Sequence, residues 1–213
     1  MPSARDRRIK PEMAKSAKPR RTTGAARTTA RAKRTAPAFA VHPLTPERWS
    51  DFEQLFGPRG ACGGCWCMWW RRPAAEFEKN KGAGNKRAMK RIVSSGETVG
   101  LIGYRGGVPV AWIALAPRSV FVRLNRARVL KPVDDTPVWS IVCLFVARDQ
   151  RRSGLGVRML REAVKYARRQ RARVVEGYPV EPRQNKMPDA FAVVNARISR
   201  RALRTSIRRS TTR

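Results

Sequence analysis

Apolar residues fall along this chain in runs whose period changes with position. Residues 1 to 38 hold almost no large apolar side chain, and the pattern starts at Phe39-Ala40-Val41-His42-Pro43-Leu44, a short first strand. Thr45-Pro46-Glu47 follows in the order N-cap, proline at the first helical position, acid, which predicts a helix start. Trp49, Phe52, Leu55 and Phe56 then recur at helical spacing until Gly57-Pro58 stops them. A loop rich in Gly, Cys and Trp spans 57–72, and a second helical region spans 73–94 with a weak point at Gly82-Ala83-Gly84. Met89, Ile92 and Val93 give its last turns an apolar face.

Residues 99–104 and 108–116 read as two strands joined by the tight turn Arg105-Gly106-Gly107. Residues 117–136 form a long, irregular, basic connection with Leu124, Val129 and Leu130 as apolar anchors. The run 138–147 is apolar and β-branched, as in a buried strand. Beyond it Leu155, Met159, Leu160, Ala163, Val164 and Ala167 share one face of a helix, and 173–180 reads as the next strand. Strand, helix and strand over 138–180 predict a parallel crossover unit.

Length and composition suit one domain with tails: 213 residues, with six tryptophans and seven phenylalanines to build a core. No apolar run approaches the ~20 residues of a membrane helix, and no apolar stretch follows the basic N-terminus as a secretory signal requires. Four cysteines, three of them crowded together, do not form a secreted disulfide framework, so a reducing cytoplasm is expected. The net charge is +32, and more than half of it sits in the two ends. Residues 1–38 carry twelve Lys/Arg against two acids and are expected to be a disordered basic tail. Residues 183–213 carry nine against one. Such tails imply weak, nonspecific polyanion contact, with almost no aromatic residue to stack on a base.

Between strand and helix lies Arg151-Arg152-Ser153-Gly154-Leu155-Gly156. A glycine-bearing turn that opens a helix gathers backbone N–H groups on an anion, and the arginines add charge where a pyrophosphate would lie. The turn lacks the Gly-Lys-Ser/Thr of a Walker loop and the Gly-x-Gly-x-x-Gly of a dinucleotide site.

With Arg151, Gly154 and Gly156 in the defining places, the turn resembles the acetyl-CoA loop of the GNAT N-acetyltransferases. The element order over 39–182 is similar to that family's fold. The stretches 61–71, 128–135, 138–140 and 175–179 look like one bacterial subgroup of it. The resemblance implies an α/β fold, a mixed twisted sheet with flanking helices, as an acetyltransferase domain over 39–182. It implies a fourth strand splayed from the fifth, with acetyl-CoA as co-substrate wedged between them. Its pantetheine would pair with backbone near Leu144, Phe145 and Val146, and its pyrophosphate would sit on the N–H groups of Arg151, Arg152, Ser153, Gly154, Leu155 and Gly156. A backbone N–H near the fourth strand would stabilise the oxyanion, and a base would take the proton of the acceptor amine.

Glu176, in an apolar strand beside the expected cleft, is the first candidate for that base; a carboxylate paired with one of the many arginines is the other reading. Tyr178 is the candidate acid for the leaving thiolate, against a packed tyrosine with a solvated hydroxyl. Ser140 can face the cleft, and Cys143 reads as a small core residue. Cys62, Cys65 and Cys67 form C-x-x-C-x-C, but one histidine and no second cysteine pair leave a zinc site short of ligands, so no metal is expected. A loop whose Trp66, Trp69 and Trp70 close over substrate, or pack, fits better, with disulfide redox sensing as a third reading.

The family's closing strands have no match after Pro188-Asp189-Ala190-Phe191-Ala192. The family's usual tyrosine acid on the helix after the fifth strand has none either. Two readings stand for this basic C-terminal segment: an out-of-frame peptide after about Ala192, or an irregular stretch with a short basic helix striped by Ile198, Leu203 and Ile207. The expected function is transfer of an acetyl group from acetyl-CoA to an amine of a small molecule or peptide, by direct attack in a ternary complex. A basic nucleic-acid-associated protein, and a GNAT-like remnant with little turnover, remain the alternatives.

Overall fold

A computed structural model describes residues 38–178 of the protein. The expected basic tail up to residue 37 and the C-terminal readings, including the altered closing strands, lie outside those residues. Five strands form one sheet in sequence order: β1 (Phe39–Pro43), β2 (Gly100–Arg105), β3 (Val108–Pro117), β4 (Val138–Val146) and β5 (Val174–Gly177). The first three junctions are antiparallel and β4–β5 is parallel, as a helical crossover demands.

Helices α1 (Trp49–Phe56), α2 (Ala74–Lys79) and α3 (Ala83–Ser94) precede β2, the short α4 (Val122–Asn125) lies between β3 and β4, and α5 (Leu155–Arg169) is the crossover. One core joins the α1 and α3 side to the sheet through Phe52, Trp66, Met89, Trp112 and Phe121; the other joins α5 to it through Leu101, Ile113, Leu144 and Met159. Because both faces are covered, the central β3 is buried over Pro109–Ala116 and reads as a continuous apolar run rather than an alternation. Phe52 anchors the first core, its ring 4.0 Å from Phe56 and 4.9 Å from Trp112 between centroids.

The weak point at Gly82 is a real break, separating α2 from α3. Thr45 stands at the N-cap with Pro46 behind it, as the sequence predicts; its carbonyl accepts from the Arg48 N–H at 3.0 Å, its hydroxyl accepts from the Arg48 guanidinium at 3.3 Å rather than capping the backbone, and the first turn, Pro46–Arg48, is a 3-10 turn. One local expectation is corrected. Val129 is 60% exposed and lies outside the core, while Leu124 is fully buried and Leu130 packs against the core.

Gly100, at the start of β2, has φ +153°, and a Cβ there would meet the Ile113 carbonyl oxygen at 2.2 Å and the Trp112 ring at 2.6 Å. Gly100→Ala is expected to cost about 1–3 kcal/mol, because backbone and a core ring must both shift. Urea unfolding checks this; an unchanged midpoint would contradict such tight packing.

Candidate active site

The turn after β4 leads into the N-terminus of α5. Arg152 has φ +61° and Gly154 φ +77°, so the chain curls back on itself before α5 begins. No residue caps α5 with a side chain. Helix geometry leaves the N–H groups of Leu155, Gly156 and Val157 without intrahelical partners, and they point out of the N-terminus. A Cβ on Gly154 would meet nothing within 4 Å, which leaves open space over the turn. The turn is braced from the sheet: Arg105 on β2 donates to Gln150 Oε1 at 2.8 Å and to Ser153 Oγ at 3.4 Å, and Ser153 Oγ donates to the Gln150 carbonyl.

Above the turn, β4 is irregular. Ala114 faces Cys143 and Leu115 faces Ile141, so Val142 is an extra residue bulged out of the β3–β4 ladder. Pairing with β5 covers only Val138–Ile141, from Val138↔Val174 to Ile141↔Gly177. From Val142 to Val146 the other edge of β4 meets no described strand. A bulge increases local twist in the strand that carries it. Leu144 is buried against α5, while Phe145 and Val146 are half-buried. The Val146 carbonyl is not free: Arg151 Nε donates to it at 3.1 Å.

Where β5 still pairs, the register sets Ala116, Ser140 and Glu176 in one row across three strands. Tyr178, two residues beyond Glu176, shares its face. Arg118, in the turn that ends β3, reaches over this row. Its Nη1 lies 2.7 Å from Glu176 Oε1 and 2.7 Å from the Tyr178 hydroxyl, and Nη2 donates to the Leu130 carbonyl. Ser140 Oγ donates to Glu176 Oε1 at 2.6 Å, and the Tyr178 hydroxyl donates to the same oxygen. Glu176 Oε2 accepts no described hydrogen bond. Burial first, then the bond to Glu176, holds the Tyr178 phenol well above its ordinary pKa, so it keeps its proton at physiological pH.

Glu176 therefore does not sit in apolar surroundings: the arginine-paired reading is the arrangement found. Tyr178 is not a packed tyrosine with a solvated hydroxyl, since that hydroxyl is fully engaged. Arg118, Glu176 and Tyr178 form the inner wall of a cleft of ≈310 Å³ whose outer wall is the 130–138 segment with Asp134 and Asp135.

The cysteine and tryptophan loop does not line that cleft. Trp66 and Met68 are each 4% exposed and plug the α1 side of the core; Trp66 stacks on Phe56 with centroids 5.7 Å apart. Trp69 and Trp70 are half-buried, and the Arg123 guanidinium sits 3.8 Å over the Trp69 ring. The loop is packing in this structure, not a flap over the cleft. Its backbone is strained, with Ala61, Trp66 and Cys67 in the left-handed region. None of the four cysteines is in a disulfide, and among the described residues no cluster of His, Cys, Asp or Glu is arranged to hold a metal.

Two residues were missed from the sequence. Arg118 and Arg105 lie in a chain with 47 lysines and arginines, so nothing marked them out. The one usable signal for Arg118 is position: a charge directly after a continuous apolar strand cannot leave the sheet, and it seeks a carboxylate.

Sheet and helices together define an α/β protein with a helix N-terminus at the end of its fourth strand. A family model described as "Acetyltransferase (GNAT) family" matches residues 66–186, and the chain belongs to that family. It is an acyltransferase by class, and acetyl-CoA is the co-substrate of that class. Solved structures of similar shape include the aminoglycoside N-acetyltransferase AAC(6')-Iy in complex with CoA, at 12% identity over 69% of this chain and 80% of that one, TM-score 0.46. A GCN5-related N-acetyltransferase from Ralstonia eutropha aligns at 15% identity over 71% and 97% of the two chains, TM-score 0.42. An aminoglycoside 6'-N-acetyltransferase from Acinetobacter baumannii aligns at 14% over 74% and 96%, TM-score 0.41. No curated protein matches the chain in sequence. Among the described residues no helix is long and apolar enough to cross a membrane.

Proposed function

We propose that the protein transfers an acetyl group from acetyl-CoA to an amine of a small molecule or peptide, by direct attack with both substrates bound. The observation that carries this is the layout of β4: a turn into a helix N-terminus at its C-terminal end, an edge along Val142–Val146 that meets no described strand, and a cleft bearing a carboxylate at its N-terminal half. The family supplies the co-substrate and the acetyl chemistry.

In this reading the N–H groups of residues 151–156 hold the pyrophosphate, with Arg151 and Arg152 as counter-charges. The backbone of Leu144, Phe145 and Val146 pairs with the pantetheine amides, as an added strand would. Acetyl-CoA brings the activated acyl group. Glu176 takes the proton of the acceptor amine through Oε2, because Arg118, Ser140 and Tyr178 already occupy Oε1. Tyr178, kept protonated by its surroundings, donates to the departing thiolate.

The test is CoA release with a panel of amines. Turnover with at least one amine is expected. Glu176→Gln is expected to lower kcat by roughly 10²–10⁴-fold while acetyl-CoA binding, read by calorimetry, persists. Unchanged kcat in that variant would remove Glu176 as the base; no turnover with any amine despite tight acetyl-CoA binding would favour the remnant reading.

A further inference from the structure

The two helical layers that cover the sheet differ in charge. On the face of the first core, α1, α2 and α3 together carry five Lys/Arg against four Asp/Glu and are close to neutral. On the other face α5 alone carries five against one: Arg158, Arg161, Lys165, Arg168 and Arg169 against Glu162. Arg171 and Arg173 follow directly, and all seven cations are exposed. With 3.6 residues per turn, the five on α5 fall within roughly 100° of arc, opposite Ala163 and Ala167, and extend over about 16 Å of helix. Two are laid on rings: the Arg158 guanidinium lies 4.9 Å over Phe39 and that of Arg169 5.8 Å over Tyr166. Lys165 reaches Glu162 at 2.7 Å. Among the described residues no ion pair engages Arg158, Arg161, Arg169, Arg171 or Arg173.

What this face lacks narrows what it can hold. A protein partner needs apolar anchors at the centre of its interface. The exposed large apolar side chains among the described residues are Val108, Val129 and Val133, none of them on α5. A membrane surface needs apolar side chains to insert, and α5 buries its own in the core. A single nucleic-acid strand stacks its bases on open aromatic rings, whereas Tyr166 is half-buried under Arg169. A duplex asks for none of these, because it presents rows of phosphate.

We infer that the outer face of α5 docks along the major groove of duplex DNA, its cations meeting the phosphates on either side. The B-form major groove is about 12 Å wide, close to the diameter of a helix with its side chains. The A-form groove of duplex RNA is too narrow to take one. At one charge per ≈1.7 Å of duplex, the length of the stripe runs past roughly nine phosphates, enough to engage every cation on it. These contacts position the protein on DNA without reading a base sequence.

The stripe begins at Arg158, beyond the 151–156 turn, and uses none of the groups assigned to acetyl-CoA. It therefore stands or falls apart from the acetyl-transfer reading. It also differs from contact through the basic ends of the chain, because it lies on one face of the folded domain.

The experiment measures fluorescence anisotropy of a short labelled DNA duplex with the full chain over a series of salt concentrations. Replacing Arg158, Arg161 and Lys165 together by Gln is expected to lower the slope of log K against log salt by about 2–3, and to weaken binding roughly tenfold or more at the lowest salt. Arg161→Gln alone is expected to lower the slope by about one. Replacing Arg87, Lys90 and Arg91 by Gln removes the same charge from exposed positions on α3 and is expected to change it by less than about one. Urea midpoints of all variants are expected to match the parent protein, since every altered side chain is exposed. An unchanged slope in the α5 variants, or equal losses in the α5 and α3 triple variants, would overturn the α5 face as the site and leave net charge and the basic ends as the cause. A duplex RNA, a single DNA strand, poly-glutamate or phosphatidylserine vesicles bound as tightly as duplex DNA at the same salt would overturn DNA as the occupant.

Discussion

Gly154→Glu is expected to weaken acetyl-CoA binding by about 30- to 700-fold, the equivalent of about 2–4 kcal/mol. Two effects add. Gly154 stands at φ +77°, where a side chain strains the backbone and disturbs the N–H groups that follow it. The carboxylate also enters the open space over the turn, where the proposed pyrophosphate lies, and sets like charge against it. Gly154→Ala supplies the strain without the charge and should lose much less. Titration calorimetry at fixed salt reads both. Undiminished binding in Gly154→Glu would remove the turn as the phosphate cradle.

Arg118→Met should cost about 3–5 kcal/mol of stability, because it strands the Glu176 carboxylate in the sheet. The two side chains are 9% and 16% exposed and lie 2.7 Å apart, so water replaces the guanidinium only in part. For a chain of this size the loss corresponds to a fall in Tm of roughly 6–20 °C. The second half of the prediction separates charge from packing. Glu176→Gln in the Arg118→Met background should recover part of the loss, since the amide oxygen still accepts from Ser140 and Tyr178 while the orphan charge is gone. Urea melts of the single and double variants decide it. A double variant no more stable than Arg118→Met would mean that the Leu130 carbonyl contact, not the ion pair, is what Arg118 supplies.

Period and punctuation made most of the fold legible. The gap at Gly82, the hairpin at Gly106-Gly107 and the crossover helix with Met159 and Ala163 inward each follow from local rules, and the structure has them where those rules put them. The turn from β4 into α5 was legible for the same reason, because a turn between a strand and a helix is a local object. What escaped was long-range. The pairing of Arg118 with Glu176 joins residues 58 positions apart, and the bulge at Val142 depends on how β3 lies against β4. The aromatic loop was open between lid and packing because a run of tryptophans looks alike in both. Only the fit of Trp66 against Phe56 settles that it is a plug. Val129 misled because a valine-leucine pair inside an irregular basic stretch carries no period to say which of the two faces inward.

The bond from Arg151 to the Val146 carbonyl has a consequence for how affinity at this site should be understood. The chain itself already satisfies one carbonyl of the strand edge that, in the proposed reading, the ligand would use. In that reading entry of the ligand would be an exchange of partners: the guanidinium would give up a carbonyl and take a phosphate, and the carbonyl would give up the guanidinium and take an amide. The Kd would then report the difference between two filled states, not the worth of either. Removing the Arg151 side chain frees the strand edge and impoverishes the phosphate end at once. These opposed effects can cancel in free energy while separating cleanly in the heat of binding and in its dependence on ionic strength.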